Sequence, residues 1–150
     1  MRLYFREKLD YEEDEDFQQR QSVTDDDVEN FINGMGDGPN LNDLHFHCAG
    51  GRTSPWNKEV IRMMTEDIIV QLEEDAEYNW PSRTNDWWTK EMWNRFNRLM
   101  RQWAQGQRQQ LSDGEMESDR ALDSRLDEMR NSRLRAQRRR TRRIAVRLII

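Results

Sequence analysis

Ser54-Pro55-Trp56-Asn57-Lys58-Glu59-Val60-Ile61-Arg62-Met63-Met64-Thr65-Glu66-Asp67-Ile68-Ile69-Val70-Gln71-Leu72 is the stretch on which the fold turns. Ser54 offers an N-cap hydroxyl, and Pro55 suits the first helical position, where a missing N–H loses no helical bond. Trp56, Val60, Ile61, Met64, Ile68 and Leu72 recur at spacings of four, one, three, four and four, one amphipathic stripe running to about Glu77. Trp80-Pro81 stops it, because the residue before a proline is pushed out of the helical region. Thr84 can cap a second helix whose stripe is Trp88, Met92, Phe96, Leu99 (or Met100) and Trp103, with Gly106 weakening its end. Two such helices joined in sequence bury aromatic against aliphatic faces, and this hairpin is the expected core.

Toward the N-terminus the chain turns acidic. Residues 1–30 carry eleven acids against Arg2, Arg6, Lys8 and Arg20. The run Tyr11-Glu12-Glu13-Asp14-Glu15-Asp16 is self-repelling, so residues 1–21 read as a solvated arm, or as a helix with a sparse apolar face of Leu3, Phe5, Leu9 and Phe17. Thr24 and Asp27 form a capping-box pattern before Val28, Phe31 and Ile32, which predicts a short helix over about 25–33. Gly34-Met35-Gly36-Asp37-Gly38-Pro39-Asn40 ends it as turn or linker. Leu44-His45-Phe46-His47-Cys48 alternates like a short strand without an obvious partner, and Ala49-Gly50-Gly51-Arg52-Thr53 reads as a loop.

Toward the C-terminus the sign reverses. After Ser112-Asp113-Gly114-Glu115 no proline or glycine interrupts the chain, and a long helix over about 115–143 is expected. Leu122, Met129 and Ala136 keep a seven-residue interval, but Arg125, Arg133 and Arg143 break any second apolar row, so the coiled-coil signal is weak. Asp119, Asp123, Asp127 and Glu128 precede nine arginines: Arg130, Arg133, Arg135, Arg138, Arg139, Arg140, Arg142, Arg143 and Arg147. Acid first and base last also suits the helix dipole. The final Ile144-Ala145-Val146-Arg147-Leu148-Ile149-Ile150 is apolar and reads as buried.

The net charge of -5 therefore conceals a polarised chain. With 35% hydrophobic and 35% charged residues, the core must be small and concentrated, and six Trp and eight Met supply that concentration. No apolar run is long enough to span a bilayer, the first residues lack a signal-peptide core, and the single Cys48 excludes an internal disulfide framework. A reducing, intracellular setting is the expectation. Arginine outnumbers lysine 21 to 3, which suits bidentate grip of phosphate, although the base composition of a gene produces the same bias.

Candidates for chemistry are few. His45, His47 and Cys48 are the only metal-type cluster, and with no other His or Cys the site would need Asp43 or a second chain to complete it. Incidental histidines are the favoured reading, and no metal or cofactor is expected. Gly50-Gly51-Arg52-Thr53-Ser54 resembles a phosphate cradle in outline but lacks the ending and glycine spacing of a P-loop. The acids offer no general acid–base pair. Trp87 and Trp88 are adjacent and point about 100° apart on a helix, so Trp88 suits the core with Trp93 and Trp103, while Trp87 suits an exposed anchor.

From Trp56 onward the order of features resembles a group of uncharacterised fungal proteins found beside transposon-derived genes. The shared pattern comprises Trp56-Asn57 with Val60-Ile61, Trp80-Pro81-Ser82-Arg83, a tryptophan helix, Gly114-Glu115, and an Arg-rich end over 133–143. The resemblance covers about two-thirds of the chain. It implies a nuclear, DNA-associated setting and transfers no catalytic residue.

The expected architecture is mostly α: a central two-helix hairpin and a long basic C-terminal helix, with an acidic N-terminal arm. Its expected divisions are 1–53 (arm, short helix and Gly-rich loops), 54–111 (helical core) and 112–150 (basic helix). The expected function is non-enzymatic: nuclear association with nucleic acid, DNA foremost, whose phosphates meet Arg130, Arg133, Arg135, Arg138, Arg139, Arg140, Arg142 and Arg143. The alternative is an oligomerising protein-protein interaction module, in which the Arg helix pairs with an acidic surface, its own arm or that of a second copy.

Overall fold

The computed structural model describes residues 1–74 and 83–147, with side chains through residue 141. It is mostly α, with helices α1 (Arg2–Leu9), α2 (Asp25–Ile32), α3 (Pro55–Glu74), α4 (Asn85–Gly106) and α5 (Asp119–Arg147). Short 3-10 turns stand at Asp14–Gln19 and Gly51–Thr53. The chain forms two compact units, Met1–Ala104 and Gln105–Ile150, so residues on both sides of position 53 belong to the same unit. The expected Trp80-Pro81 stop, and the last turn of the first long helix, lie outside the described residues.

The start signals of α2 and α4 hold, and α3 begins at Pro55 as expected, but the Ser54 hydroxyl is engaged by His47 Nδ1 at 3.0 Å instead of by a helix N–H. Thr24 Oγ1 accepts from Asp27 N, and the Asp27 carboxylate accepts from Thr24 N, so both halves of the capping box are formed on α2. Thr84 Oγ1 accepts from Trp87 N at 3.3 Å at the start of α4. On α3, Val60, Ile61 and Met64 are fully buried, and Trp56 and Ile68 nearly so. Met92, Phe96 and Leu99 are fully buried on α4, with Trp88 beside them and Trp93 and Trp103 packed more loosely.

The N-terminal segment departs from its expected character as a solvated arm. Tyr4, Phe5, Leu9, Tyr11 and Phe17 are all buried, and only Leu3 of the anticipated apolar face is left outside. Burying each large side chain contributes about 1.5–3 kcal/mol, which outweighs the scatter of exposed carboxylates between them. α1 ends at Asp10 with φ 48, a left-handed cap that a short polar side chain tolerates, and this turns Tyr11 back toward the core.

Polar contacts then tie this segment to both long helices. The Tyr4 hydroxyl donates to Asp67 Oδ2 at 2.7 Å, and Lys8 Nζ lies 2.9 Å from the same carboxylate on α3. Burial first, then the hydrogen bond to Asp67, pushes the Tyr4 phenol well above its ordinary range. On α4, buried Arg95 donates through Nη1 to Asp14 Oδ2 at 2.9 Å, through Nη2 to Tyr11 Oη at 2.6 Å, and in a very short bond to Asp14 Oδ1. Arg95 thereby holds the Asp14 carboxyl below its ordinary value, its hydrogen bond outweighing desolvation. Further along, Trp103 Nε1 donates to the Arg20 carbonyl at 3.2 Å. The acidic segment is thus a structural strap across α3 and α4.

Leu44, Phe46, His47 and Cys48 are buried without forming a strand, and the reason lies in the hydrogen bonds of this segment. Asn57, on the first turn of α3 and fully buried, accepts from His47 N at 2.8 Å and donates to the carbonyls of His47 and Gly51 at 2.8 and 2.7 Å. Trp56 Nε1 donates to His45 O at 2.9 Å, Cys48 N to Ser22 Oγ at 2.9 Å, and Val23 N to Phe46 O at 3.0 Å. Side chains of α3 and the 22–23 backbone replace a neighbouring strand. Phe46 is thereby placed 4.9 Å from Phe96 in an edge-to-face contact at the centre of the core.

Candidate nucleic-acid interface

The second unit begins with a turn that anchors α5. Residues 110 and 116 pair as an isolated bridge around Gly114, whose φ of 87 is open to glycine alone at little cost. Glu117 is buried, and Arg125, two turns into α5, meets it with Nε at 2.9 Å and Nη2 at 2.8 Å. The same guanidinium donates to the carbonyls of Gln105 and Gln107 at 2.8 and 2.9 Å. Arg125 hydrogen bonding holds the Glu117 carboxyl below its ordinary range. Arg108 and Asp119 add an exposed ion pair at the start of the helix. One arginine therefore satisfies the loop that precedes the helix and fixes where the helix leaves it.

Beyond that anchor the helix is bare. Leu122, Leu126 and Met129 are half-buried, while every described residue from Arg130 to Thr141 is exposed. Among the predicted site residues, Arg133 donates to Gln105 Oε1 at 2.8 Å, still within this unit. Arg130, Arg135, Arg138, Arg139 and Arg140 project into solvent with the charge undiluted by any acid after Glu128. Arg142 and Arg143 lie on the α5 backbone, their side chains outside the described residues, as are those of the apolar end, Ile144 to Ile150. Leu134, Gln137, Arg138 and Thr141 line an open groove of about 430 Å³ along the helix.

The other motifs are occupied by structural work. His47 is buried, its Nδ1 3.0 Å from Ser54 Oγ and its Nε2 3.0 Å from Asp25 Oδ1, so both ring nitrogens have partners. His45 Nε2 lies 2.9 Å from Asp43 Oδ1. Burial pushes the Cys48 thiol up to about 11, so little thiolate forms there at neutral pH. Among the described residues no three His, Cys, Asp or Glu side chains could share a metal ion.

The Gly50–Ser54 loop is closed over His47. A Cβ on Gly50 would sit 2.3 Å from His47 Nδ1, so that glycine is required by close approach rather than by a phosphate. Arg52 stacks over the Trp93 ring at 4.9 Å instead of reaching out. Trp87 is the exposed member of its pair, at 39%, yet Arg83 lies over its ring at 5.4 Å and Trp88 meets it edge-on at 4.8 Å.

Two structural anchors of the chain are not legible in the sequence. Asn57 was read only as part of a Trp-Asn pair, and its place one residue after Trp56 on a core-facing turn was the available signal. The Glu117–Arg125 anchor joins a loop residue to the helix that follows it, and nothing in the sequence marks Glu117 as buried. No family model matches the chain, and neither a curated protein nor a solved structure does.

Proposed function

We propose that this is a non-enzymatic, nuclear protein that associates with nucleic acid, DNA foremost, by laying the exposed part of α5 along the phosphate backbone. The observation that carries the reading is the exposure of Arg130, Arg135, Arg138, Arg139 and Arg140 on one uninterrupted helix without a carboxylate between them. Guanidinium groups in that density attract phosphate, and each phosphate neutralised releases condensed counterions. Such contacts position without specifying, so binding is insensitive to base sequence. The resemblance to transposon-associated fungal proteins agrees with a nuclear setting. Among the described residues no helix is long and apolar enough to cross a membrane.

The competing reading, in which the acidic N-terminal segment neutralises the Arg helix, is weakened by where those acids are engaged. Glu13 pairs with Arg6 at 3.0 Å, Asp14 with Arg95, and Asp16 with the backbone N–H groups of Glu12 and Glu13 at 3.2 and 2.8 Å. They serve their own unit. A gel-shift titration across salt tests the proposal, using the parent and an R138Q/R139Q/R140Q variant. The parent's affinity should fall steeply with salt, and the variant's log–log salt slope should be shallower by roughly three, one per lost phosphate contact. Equal affinity and equal slope for the two proteins would refute it.

A further inference from the structure

The exposed arginines of α5 do not form one stripe. Helical side chains advance by about 100° per residue, so position along the chain gives position around the axis. Leu134, Gln137 and Thr141 therefore fall within about 60° of one another, an uncharged strip along one face. Thr141 Oγ1 donates to the Gln137 carbonyl at 3.1 Å, one turn back, and both residues line the same open groove as Leu134 and Arg138. Arg138 and Arg135 stand about 70° and 130° from the strip's centre on one side, and Arg140 about 90° from it on the other. Arg139 and Ser132 are on the back of the helix, and Arg130 heads the strip at the end nearer the Glu117 anchor. All of these side chains are exposed.

A single row of phosphates can meet only one shoulder of such a helix. Cations on both shoulders, with a neutral strip between them, match anions on two facing walls. The major groove of B-form DNA has that form. It is about 12 Å wide with a phosphate backbone along each lip, and a helix with its side chains is about 10–12 Å across. The minor groove, about 6 Å wide, is too narrow. The major groove of A-form RNA is deep and narrow, and side chains do not reach into it.

Building on the nucleic-acid reading, and resting on it, we propose that α5 enters the major groove of duplex DNA. Leu134, Gln137 and Thr141 turn toward the base edges, Arg135 and Arg138 meet one phosphate wall, and Arg140 meets the other. The partner is thus a B-form duplex, and neither a single strand nor an RNA helix offers both walls at this spacing. The walls supply the affinity, so the helix selects groove form rather than base order.

Gel shifts and competition with the full chain test this placement. At about 0.1 M salt the parent should bind a DNA duplex roughly tenfold or more tighter than the same single strand or an RNA duplex, the effect of about one added phosphate contact. Methyl green, which occupies the major groove, should displace the protein, whereas netropsin, in the minor groove, should not. Leu134→Trp adds bulk to the strip at constant charge, and should weaken duplex binding about tenfold with a shallower salt slope. Ser132→Trp adds the same bulk to the back of the helix and should bind like the parent. Both variants should melt with the parent, because both positions are exposed. Equal affinity for duplex and single strand, resistance to methyl green, or equal effects of the two tryptophans would each overturn the placement while leaving phosphate binding intact. A parent that binds no nucleic acid even at low salt would overturn the nucleic-acid reading and the placement together.

Discussion

Two runs of charge, the acidic 7–16 and the basic 130–147, look alike in density and end in opposite environments. The acidic run is interleaved with Leu9 and Tyr11 and flanked by Tyr4, Phe5 and Phe17, and these side chains pull it into the core. Its Glu13 and Asp14 carboxylates then find Arg2, Arg6 and Arg95 within the same unit. Over its described side chains, 130–141, the basic run contains no aromatic residue, and its one large aliphatic residue, Leu134, is itself 44% exposed. Charge density by itself does not decide whether a segment is solvated. What decides is whether large apolar side chains recur within reach of the charges, since each offsets several exposed ions.

That comparison is broken most easily at Phe17. Phe17→Ala should lower unfolding free energy by about 3–5 kcal/mol, read as a urea midpoint shift at unchanged slope. Deleting residues 1–21 should abolish the cooperative transition altogether. A deletion variant that melts like the parent would restore the solvated-arm picture.

Arg95→Ala comes next, at about 2–4 kcal/mol, because it strands the Asp14 carboxylate and the Tyr11 hydroxyl in a part-buried site. Removing both charges in Arg95→Met/Asp14→Asn should recover part of the loss. No recovery in the double variant would mean that Arg95 acts by packing rather than by pairing.

A third measurement sharpens the same contact by pH. Asp14 has a folded pKa below its unfolded value, so its contribution is complete above about pH 4 and is lost as pH falls through the lower folded value. The stability gap between parent and Asp14→Asn should therefore narrow as the solution is acidified below about pH 4. A gap that widens instead would show that the carboxyl is destabilised by its site.

The smallest effect belongs to the other region. Arg139→Ala should change stability by no more than about 0.5 kcal/mol in either direction, since its side chain is exposed and has no partner among the described residues. A larger loss of stability would mean that the basic run is part of a packed surface.

Local signals were legible in the sequence and long-range ones were not. The Thr24–Asp27 capping box, the Ser54-Pro55 start, the Thr84 cap and the stripes of both long helices are written in neighbouring residues, and their spacing determines the outcome. The uninterrupted run that becomes α5 was equally plain, and with it the exposure of arginines that lack apolar company. The burial of Tyr11 and Asp14 depends on Arg95, 84 and 81 positions away, and no local pattern announces that pairing. The 44–48 segment alternates apolar and polar residues in sequence, yet His47 is buried as fully as Cys48. Its hydrogen-bond partners, however, are the side chains of Ser22, Trp56 and Asn57, which alternation cannot reveal.

The strap across α3 and α4 also sets a schedule for synthesis. Tyr4 cannot meet Asp67, nor Asp14 meet Arg95, nor the Arg20 carbonyl meet Trp103, until those later residues have left the ribosome. At roughly 5–20 residues per second, the 81-residue gap from Asp14 to Arg95 is a wait of roughly 4–16 s. During it Phe5, Leu9 and Phe17 are exposed on a nascent chain whose partners do not yet exist. Seven acids stand among them in residues 1–21, and like charge beside an exposed apolar segment opposes its association with another.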